Sequence, residues 1–322
     1  MAATPTLNER AQRLADYMAS TAPGLRIAVQ QTPAGARVID CGVNVPGGLQ
    51  AGLALARVCM AGLAEVALVP GDVAGSCCPL VQVATDQPVA ACMAAQYAGW
   101  QIKLDADDFF AMGSGPMRAA YGKEDLYDHI PGRERPPVAV GILETNHLPG
   151  DSVARYVADA VGLPPGKITL LAAPATSLAG TIQVVARSVE TALHKLHELK
   201  FDLKQVVSGF GTAPMPPVAT DALHAIGRTN DAILYGGRVT LWVEAEDDQL
   251  AEVGPKLPSC AQPDYGAPFV EIFKSYQGDF YKIDPLLFSP AEVYFCNLRT
   301  GRSHAFGRVK PEVLWRSFFA GE

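Results

Sequence analysis

Residues 138–172, VAVGILETNHLPGDSVARYVADAVGLPPGKITLLA, contain two short apolar runs separated by an amphipathic segment. The runs 138–143 and 168–172 are rich in β-branched and aliphatic residues, as is typical of buried strands. Between them, residues 152–161 place apolar side chains three and four positions apart, which is the spacing of one helix face. The order strand, helix, strand predicts an α/β protein.

The same alternation continues on both sides of this stretch. Strand-like runs occur at 26–29, 36–41 and 66–69, and helical spacings at 49–64, 88–98 and 181–199. In the last third, the runs 232–235 and 239–245 flank Gly236-Gly237, and two glycines between strands predict a tight hairpin in which they adopt positive φ. The C-terminal part is therefore expected to add antiparallel strands.

The stretch 131–137 is charged and rich in proline, has no apolar period, and is typical of a loop. We place a boundary there and expect two α/β lobes, 1–135 and 136–322, either of which can be discontinuous. No repeat of fixed period and no low-complexity tract is visible in the sequence.

The composition is that of a compact globular protein. Hydrophobic residues make up 49% of the 322 residues and charged residues 18%, which excludes a disordered chain. A formal net charge of −7, without a basic run, disfavours nonspecific binding to nucleic acid or to anionic membranes. The N-terminal segment lacks the uncharged core of a signal peptide, which predicts a cytoplasmic protein with seven reduced cysteines.

Metal and nucleotide sites find little support in the sequence. Residues 162–169 resemble a phosphate loop, but the glycine spacing is one residue short and Ile168 stands where a hydroxyl is required. His194 and His197 form the one close histidine pair, and neither HExxH nor CxxC occurs. We expect no metal site and no permanently bound cofactor.

One charged pair remains as a candidate. Arg187 and Glu190 stand three residues apart in an otherwise apolar helical segment, and therefore on one helix face. Burial of the apolar positions does not require these charges. By composition and spacing alone, an ordinary surface ion pair, worth a few tenths of a kcal/mol, is the favoured explanation.

Five longer strings carry a family resemblance. In chain order they are VIDCGV (38–43), GGLQAG (47–52), FAMGSGP (110–116), GRTNDAILYGG (227–237) and FYKIDP (280–285). Together they resemble methenyltetrahydromethanopterin cyclohydrolase over nearly the whole chain. In that family the catalytic arginine and glutamate lie in an R-x-x-E segment, which here is Arg187 to Glu190.

The resemblance implies hydrolysis of the N5,N10-methenyl bridge of tetrahydromethanopterin to the N5-formyl form, and the reverse cyclisation. It also implies two α/β lobes with a cleft between them and a homotrimer. The family occurs in methanogenic archaea and in methylotrophic bacteria that oxidise formaldehyde. The low charge content favours the bacterial setting, because ion-pair networks enriched in lysine and glutamate are typical of hyperthermophiles.

The implied chemistry is consistent with the lack of a metal motif. The methenyl carbon lies between two nitrogens in a stabilised cation and needs an oriented, deprotonated water rather than a Lewis acid. Glu190 is expected to accept the proton of that water, and its charge lies near the substrate cation. Arg187 is expected to hold Glu190 and to favour its ionised form.

Contacts to the pterin are expected in two of the strings. Gly113, Ser114 and Gly115 would let the backbone approach a planar ring, although a tight turn explains the glycines equally well. Asn230 and Asp231 offer partners for the amino and lactam groups of a pterin, or form a turn before a strand. Arg228 would meet an anionic tail of the substrate, or form a surface ion pair. These alternatives stay open on the sequence alone.

Two other functions also remain open. One is a noncatalytic pterin-binding or sensor protein, against which the presence of both Arg187 and Glu190 speaks. The other is a cyclohydrolase acting on methenyl-tetrahydrofolate. In each case the expected partner is a small pterin, and neither nucleic acid nor membrane is expected.

Overall fold

The computed structural model describes residues 4–278 and 282–320. They form two compact units, each assembled from two stretches of the chain. Unit 1 contains the described residues up to Ala64 together with Ala90–Gln183, and unit 2 contains Glu65–Val89 and the described residues from Val184 onward. The boundary expected at residue 135 falls inside unit 1. Phe280 and Tyr281, in the fifth similar string, lie outside the described residues.

The regular elements alternate along the chain. The strands are β1 (Ala28–Gln31), β2 (Arg37–Asp40), β3 (Glu65–Val69), β4 (Asp72–Val73), β5 (Ser76–Cys77), β6 (Leu80–Thr85), β7 (Trp100–Leu104), β8 (Phe109–Ser114), β9 (Ala139–Glu144), β10 (Ile168–Ala173), β11 (Val206–Pro214), β12 (Arg238–Val243), β13 (Glu292–Asn297) and β14 (Ser303–Gly307). The α-helices are α1 (Leu7–Ser20), α2 (Ala22–Leu25), α3 (Leu49–Cys59), α4 (Met117–Tyr121), α5 (Asp151–Val161), α6 (Leu178–Val185), α7 (Ser188–Glu198), α8 (Ala222–Gly236), α9 (Asp247–Val253), α10 (Phe269–Ser275) and α11 (Pro311–Phe318).

Each unit contains a mixed six-stranded sheet. In unit 1 the order is β1-β2-β10-β9-β8-β7, with β2, β10 and β9 parallel and the outer pairs antiparallel. In unit 2 the order is β14-β13-β12-β11-β6-β3, with β12 and β13 parallel and the other neighbours antiparallel. Strands β4 and β5 form a separate antiparallel pair. The predicted α/β class with added antiparallel strands is confirmed.

The stretch 138–172 supplies the centre of unit 1. Strands β9 and β10 run parallel, with Leu171 opposite Ile142, and nearly all their side chains are buried. Helix α5 turns Val153 and Val157 into a core that includes Leu143 of β9 and Leu170 of β10, as its spacing predicts. It ends at Gly162, whose φ of +71° suits the left-handed cap that glycine adopts without strain.

The hairpin predicted around Gly236-Gly237 is wrong. Residues 232–235 form the last turn of helix α8, and the two glycines connect this helix to β12. Neither glycine has a positive φ. They are required by close packing instead, because a Cβ on Gly236 would lie 2.6 Å from the Pro214 ring, and one on Gly237 would lie 2.6 Å from the carbonyl oxygen of Ile233.

Residues Val89–Gln96, predicted as helical, form a π-helix. Its last carbonyl groups are held by a fully buried arginine, since Arg118 donates from Nη1 to the carbonyl oxygen of Met93 at 3.1 Å. Glu124 accepts from Nε and Nη2 of the same guanidinium, at 2.9 and 2.5 Å. This bidentate pair fixes the end of the π-helix inside unit 1.

Candidate active site

Arg187 and Glu190 lie at a break between two consecutive helices. Helix α6 ends at Val185, and α7 begins at Ser188 with Arg187 as its N-cap residue. Glu190 is therefore the third residue of α7, in the first turn. The unpaired N–H groups of a first helical turn favour a negative charge there. The break thus presents a guanidinium and a carboxylate at one helix end.

The two side chains face each other inside the protein. Nη1 of Arg187 lies 3.8 Å from Oε2 of Glu190, and the side chains are 10% and 6% exposed. The alternative of a surface ion pair is wrong, because both groups are buried. The two charges attract each other, but their separation of 3.8 Å is longer than the 2.7–3.2 Å of an N–H···O hydrogen bond.

Two glycines in strand β11 bring α7 close to the sheet of unit 2. A Cβ on Gly209 would lie 2.8 Å from Cγ1 of Val189, and one on Gly211 would collide with the Ser188 side chain. Gly209 and Gly211 stand two residues apart, so both face the same side of the strand. The first turn of α7 therefore packs on bare backbone, which fixes the helix end that carries Arg187 and Glu190.

Helix α7 is also anchored farther along by a buried lysine. The Lys195 side chain is fully buried, and its Nζ donates to the carbonyl oxygen of Pro258 at 3.0 Å. Removal of the ammonium group from solvent lowers the pKa of Lys195 to about 8. No pattern in the sequence predicts this anchor, since a lysine within a helix is ordinarily exposed.

The glycine-rich string 113–115 belongs to unit 1 and is buried. Gly113 lies in β8, where a Cβ would come within 2.9 Å of Cε of Met117. Ser114 Oγ lies 3.5 Å from the buried Sγ of Cys59. Gly115 has a φ of +86°, so its backbone conformation itself calls for glycine. The string fits tight packing around β8.

The polar residues of the fourth string lie on helix α8. Arg228 donates from Nε to the carbonyl oxygen of Ser317 at 3.2 Å, and Asn230 donates to a carbonyl one turn earlier in its own helix at 2.8 Å. Asp231 is fully buried, and its Oδ1 accepts from the N–H of Phe269, the first residue of α10, at 2.8 Å. The alternative of a turn before a strand is therefore wrong for Asn230 and Asp231.

Burial dominates the electrostatics of Asp231. Removal from solvent raises the pKa of its carboxyl group to about 7, and hydrogen bonds from Ser317 and Phe269 oppose this rise in part. Asp231 thus stabilises the start of α10 from within the core of unit 2.

Of the residues selected from the sequence, the structure brings Arg187 and Glu190 together, and it places Arg228, Asn230 and Asp231 on a different helix of the same unit. Among the described residues, no group of three or more His, Cys, Asp or Glu side chains is arranged to hold a metal ion. Within the same part of the chain, no helix is both long and apolar enough to cross a membrane.

Comparisons with known proteins show which family the chain belongs to. The family model described as "Cyclohydrolase (MCH)" matches residues 6–318. A methenyltetrahydromethanopterin cyclohydrolase of Rhodopirellula baltica is 47% identical, over 98% of this chain and 95% of that protein. Proteins of the same name from Methylobacterium organophilum and Methanospirillum hungatei are 43% and 42% identical, over 98% and 97% of this chain and 98% of each protein. The chain therefore belongs to the methenyltetrahydromethanopterin cyclohydrolase family, a family of hydrolases.

Proposed function

We propose that this chain catalyses the reversible hydrolysis of N5,N10-methenyl-tetrahydromethanopterin to N5-formyl-tetrahydromethanopterin. The observation that carries the proposal is the buried Glu190 carboxylate, which lies in the first turn of α7 with the Arg187 guanidinium 3.8 Å away. The names of the relatives supply the substrate. A carboxylate in this environment can act as a general base while its charge stabilises a cationic substrate.

The reaction starts from an electrophile that needs no further activation. The methenyl carbon shares a positive charge with N5 and N10, so water adds to it once a base removes a proton. Glu190 takes that proton as the C–O bond forms, and the product is a neutral tetrahedral adduct. This adduct then transfers its hydroxyl proton, the bond to N10 breaks, N10 is protonated, and the formyl group stays on N5. The overall reaction consumes one water and releases one proton.

Arg187 positions the carboxylate. Its guanidinium is permanently charged and planar, and it therefore favours the ionised form of Glu190 at neutral pH. The separation of 3.8 Å leaves Oε2 without a direct hydrogen bond to Nη1. At this separation the guanidinium acts on Glu190 through its charge.

The six residues that are expected to contact the substrate fall into two groups according to how far they are buried. Arg228 and Asn230 have partly exposed side chains on α8, and we propose them as contacts to the pterin or its tail. Gly113, Ser114 and Asp231 are buried, and Gly115 is held in a conformation that suits glycine. For these four residues we propose a supporting role, in which they shape the backbone around β8 and α10.

The cellular setting and the assembly are part of the same proposal. We propose a cytoplasmic homotrimer that acts in bacterial formaldehyde oxidation rather than in methanogenesis. The support for the bacterial setting is that charged residues make up only 18% of the chain, whereas ion-pair networks of lysine and glutamate are typical of hyperthermophiles. Light scattering should give three times the mass of the 34.1 kDa chain, and a single species at the mass of one chain would contradict the trimer.

A turnover assay tests the function. The purified chain is mixed with methenyl-tetrahydromethanopterin, and loss of the methenyl absorption is followed beside a parallel reaction with methenyl-tetrahydrofolate. We expect rapid hydrolysis of the first substrate, slow hydrolysis of the second, and no change after treatment with a chelator. Binding of the pterin without turnover would identify a sensor, and a preference for the folate substrate would identify a folate cyclohydrolase.

A further inference from the structure

Three titratable side chains follow one another along one face of helix α7. Glu190, His194 and Glu198 stand at positions i, i+4 and i+8, so they share that face. Their side chains are 6%, 14% and 39% exposed. The series therefore leads in steps from a buried carboxylate to the solvent.

The spacing brings each of these three side chains within reach of the next one along the helix. His194 Nε2 lies 3.7 Å from Oε1 of Glu198. Side chains four residues apart on a helix have Cβ atoms about 5–6 Å apart, which glutamate and histidine can span directly or through one water. His194 is thus placed between the base of the proposed reaction and an exposed carboxylate.

The proposed reaction creates a need for such a path. Each hydrolysis of a methenyl cation to a neutral formyl product releases one proton. Glu190 receives a proton from the attacking water and must lose it before the next turnover. Because the Glu190 side chain is buried, bulk buffer has little direct access to the protonated carboxyl group.

We propose that His194 is the proton relay of this enzyme. The inference depends on the proposed function. Protonated Glu190 gives its proton to the neutral imidazole of His194, which becomes imidazolium while Glu190 returns to carboxylate. The imidazolium then gives the proton to Glu198 or to solvent, and the reverse sequence supplies a proton for cyclisation.

The surroundings of His194 suit this role. Burial lowers the pKa of the imidazole, His197 lowers it further, and Glu198 raises it. A lowered pKa keeps the ring neutral at rest, and a neutral ring can accept a proton. It also makes the imidazolium a ready proton donor toward the exposed end of the series.

Substitution combined with chemical rescue tests the relay. In dilute buffer, H194Q should lower kcat on methenyl-tetrahydromethanopterin on the order of tenfold, with KM nearly unchanged, because proton transfer then becomes slow. Added imidazole should restore most of the lost rate. The matched control is H224Q, on α8, where His224 Nδ1 lies 2.8 Å from Asp221. H224Q should keep the parental rate and should not respond to imidazole.

Each outcome is decisive. A folded H194Q that is slow but unaffected by imidazole overturns the relay and indicates a structural role. A folded H194Q with the parental rate in dilute buffer also overturns it, while the proposed function stands. Absence of turnover by the parent overturns both proposals. H194N gives the same readouts with a shorter side chain, so a folding defect in H194Q alone does not decide the result.

Discussion

Among the described residues, two pairs of arginine and glutamate are largely removed from solvent, one in each unit, and their geometries differ. Arg118 and Glu124 form a bidentate pair with distances down to 2.5 Å, and the same guanidinium also donates to a backbone carbonyl. Arg187 and Glu190 are 3.8 Å apart at the start of a helix. Burial alone therefore does not separate a structural pair from one that we propose to be catalytic.

The difference lies in how the carboxylate is engaged. Glu124 has its oxygens directed at the guanidinium of Arg118, which also lies over the rings of Tyr97 and Tyr127. A carboxylate held in this way cannot accept a proton without losing two strong hydrogen bonds. Glu190 makes a longer ion pair with Arg187, and the charge of the arginine acts on it without that direct bond. These geometries are consistent with a structural role for the first pair and with the catalytic role that we propose for the second.

The largest effect on activity is expected from E190Q. Glutamine keeps the shape of the side chain but removes the base and the negative charge. The loss in kcat should be on the order of 10²–10⁴, or about 3–5 kcal/mol in the barrier. Decay of the methenyl absorption reports the rate, and circular dichroism reports folding. A folded E190Q within about threefold of the parental rate would show that another group is the base.

The matching change in the other pair is E124Q. It leaves the buried Arg118 without its negative partner and should lower the free energy of unfolding by about 3–5 kcal/mol. The exposed pair Arg316–Glu271, at 2.7 Å, provides the control. E271Q should cost less than about 1 kcal/mol. Urea unfolding measures both values, and equal costs for the two variants would contradict a structural role for Arg118–Glu124.

A smaller effect is expected from R187K. Lysine keeps the positive charge but lacks the planar guanidinium that orients Glu190, so kcat should fall on the order of tenfold, or about 1.4 kcal/mol. The variant should remain folded, because the substitution keeps the positive charge and opens no large cavity. A loss in R187K as large as that in E190Q would mean that the arginine itself acts on substrate.

Asp231 extends the comparison to a buried carboxyl group that accepts from the backbone N–H of Phe269 and, within the described part of the chain, makes no pair with an arginine at hydrogen-bond distance. Because its pKa rises from 3.8 to about 7 on folding, the folded state holds this proton to higher pH than the unfolded state does. Its contribution to stability is therefore largest in acid and declines as pH rises toward 7.

D231N removes this titration while keeping an oxygen that can accept from the N–H of Phe269. Between about pH 6 and pH 8, the difference in unfolding free energy between D231N and the parent should shift in favour of D231N by about 1 kcal/mol. Thermal unfolding at several pH values measures it. A difference that does not change with pH would show that Asp231 is ionised throughout.

The predictions from sequence succeeded where local pattern decides the structure. The runs around β9 and β10, with α5 between them, show their periods directly, and the two charges at Arg187 and Glu190 stand out in an apolar segment. The resemblance of five strings to a known family then made this pair a candidate for the catalytic residues. The sequence could not show that the pair is buried, because burial depends on packing against β11.

Glycine was the main source of error. The pair Gly236-Gly237 between apolar runs predicts a hairpin turn. The apolar run before it, however, fits a strand or a buried helix equally well. Both glycines are present because neighbouring atoms approach closely, which no local pattern reveals. The division into two units was also hidden, because it depends on the pairing of β6 with β11 across a large separation in sequence.

That same pairing has a consequence for synthesis on the ribosome. Strand β6 ends about 120 residues before β11 begins, and translation at roughly 5–20 residues per second separates the two by roughly 6–24 s. During this interval β6 can pair only with β3, and its other edge has no strand beside it. Every nascent chain therefore carries an open, partly apolar strand edge while unit 1 is being completed, and an edge of this kind is a template for pairing with another chain.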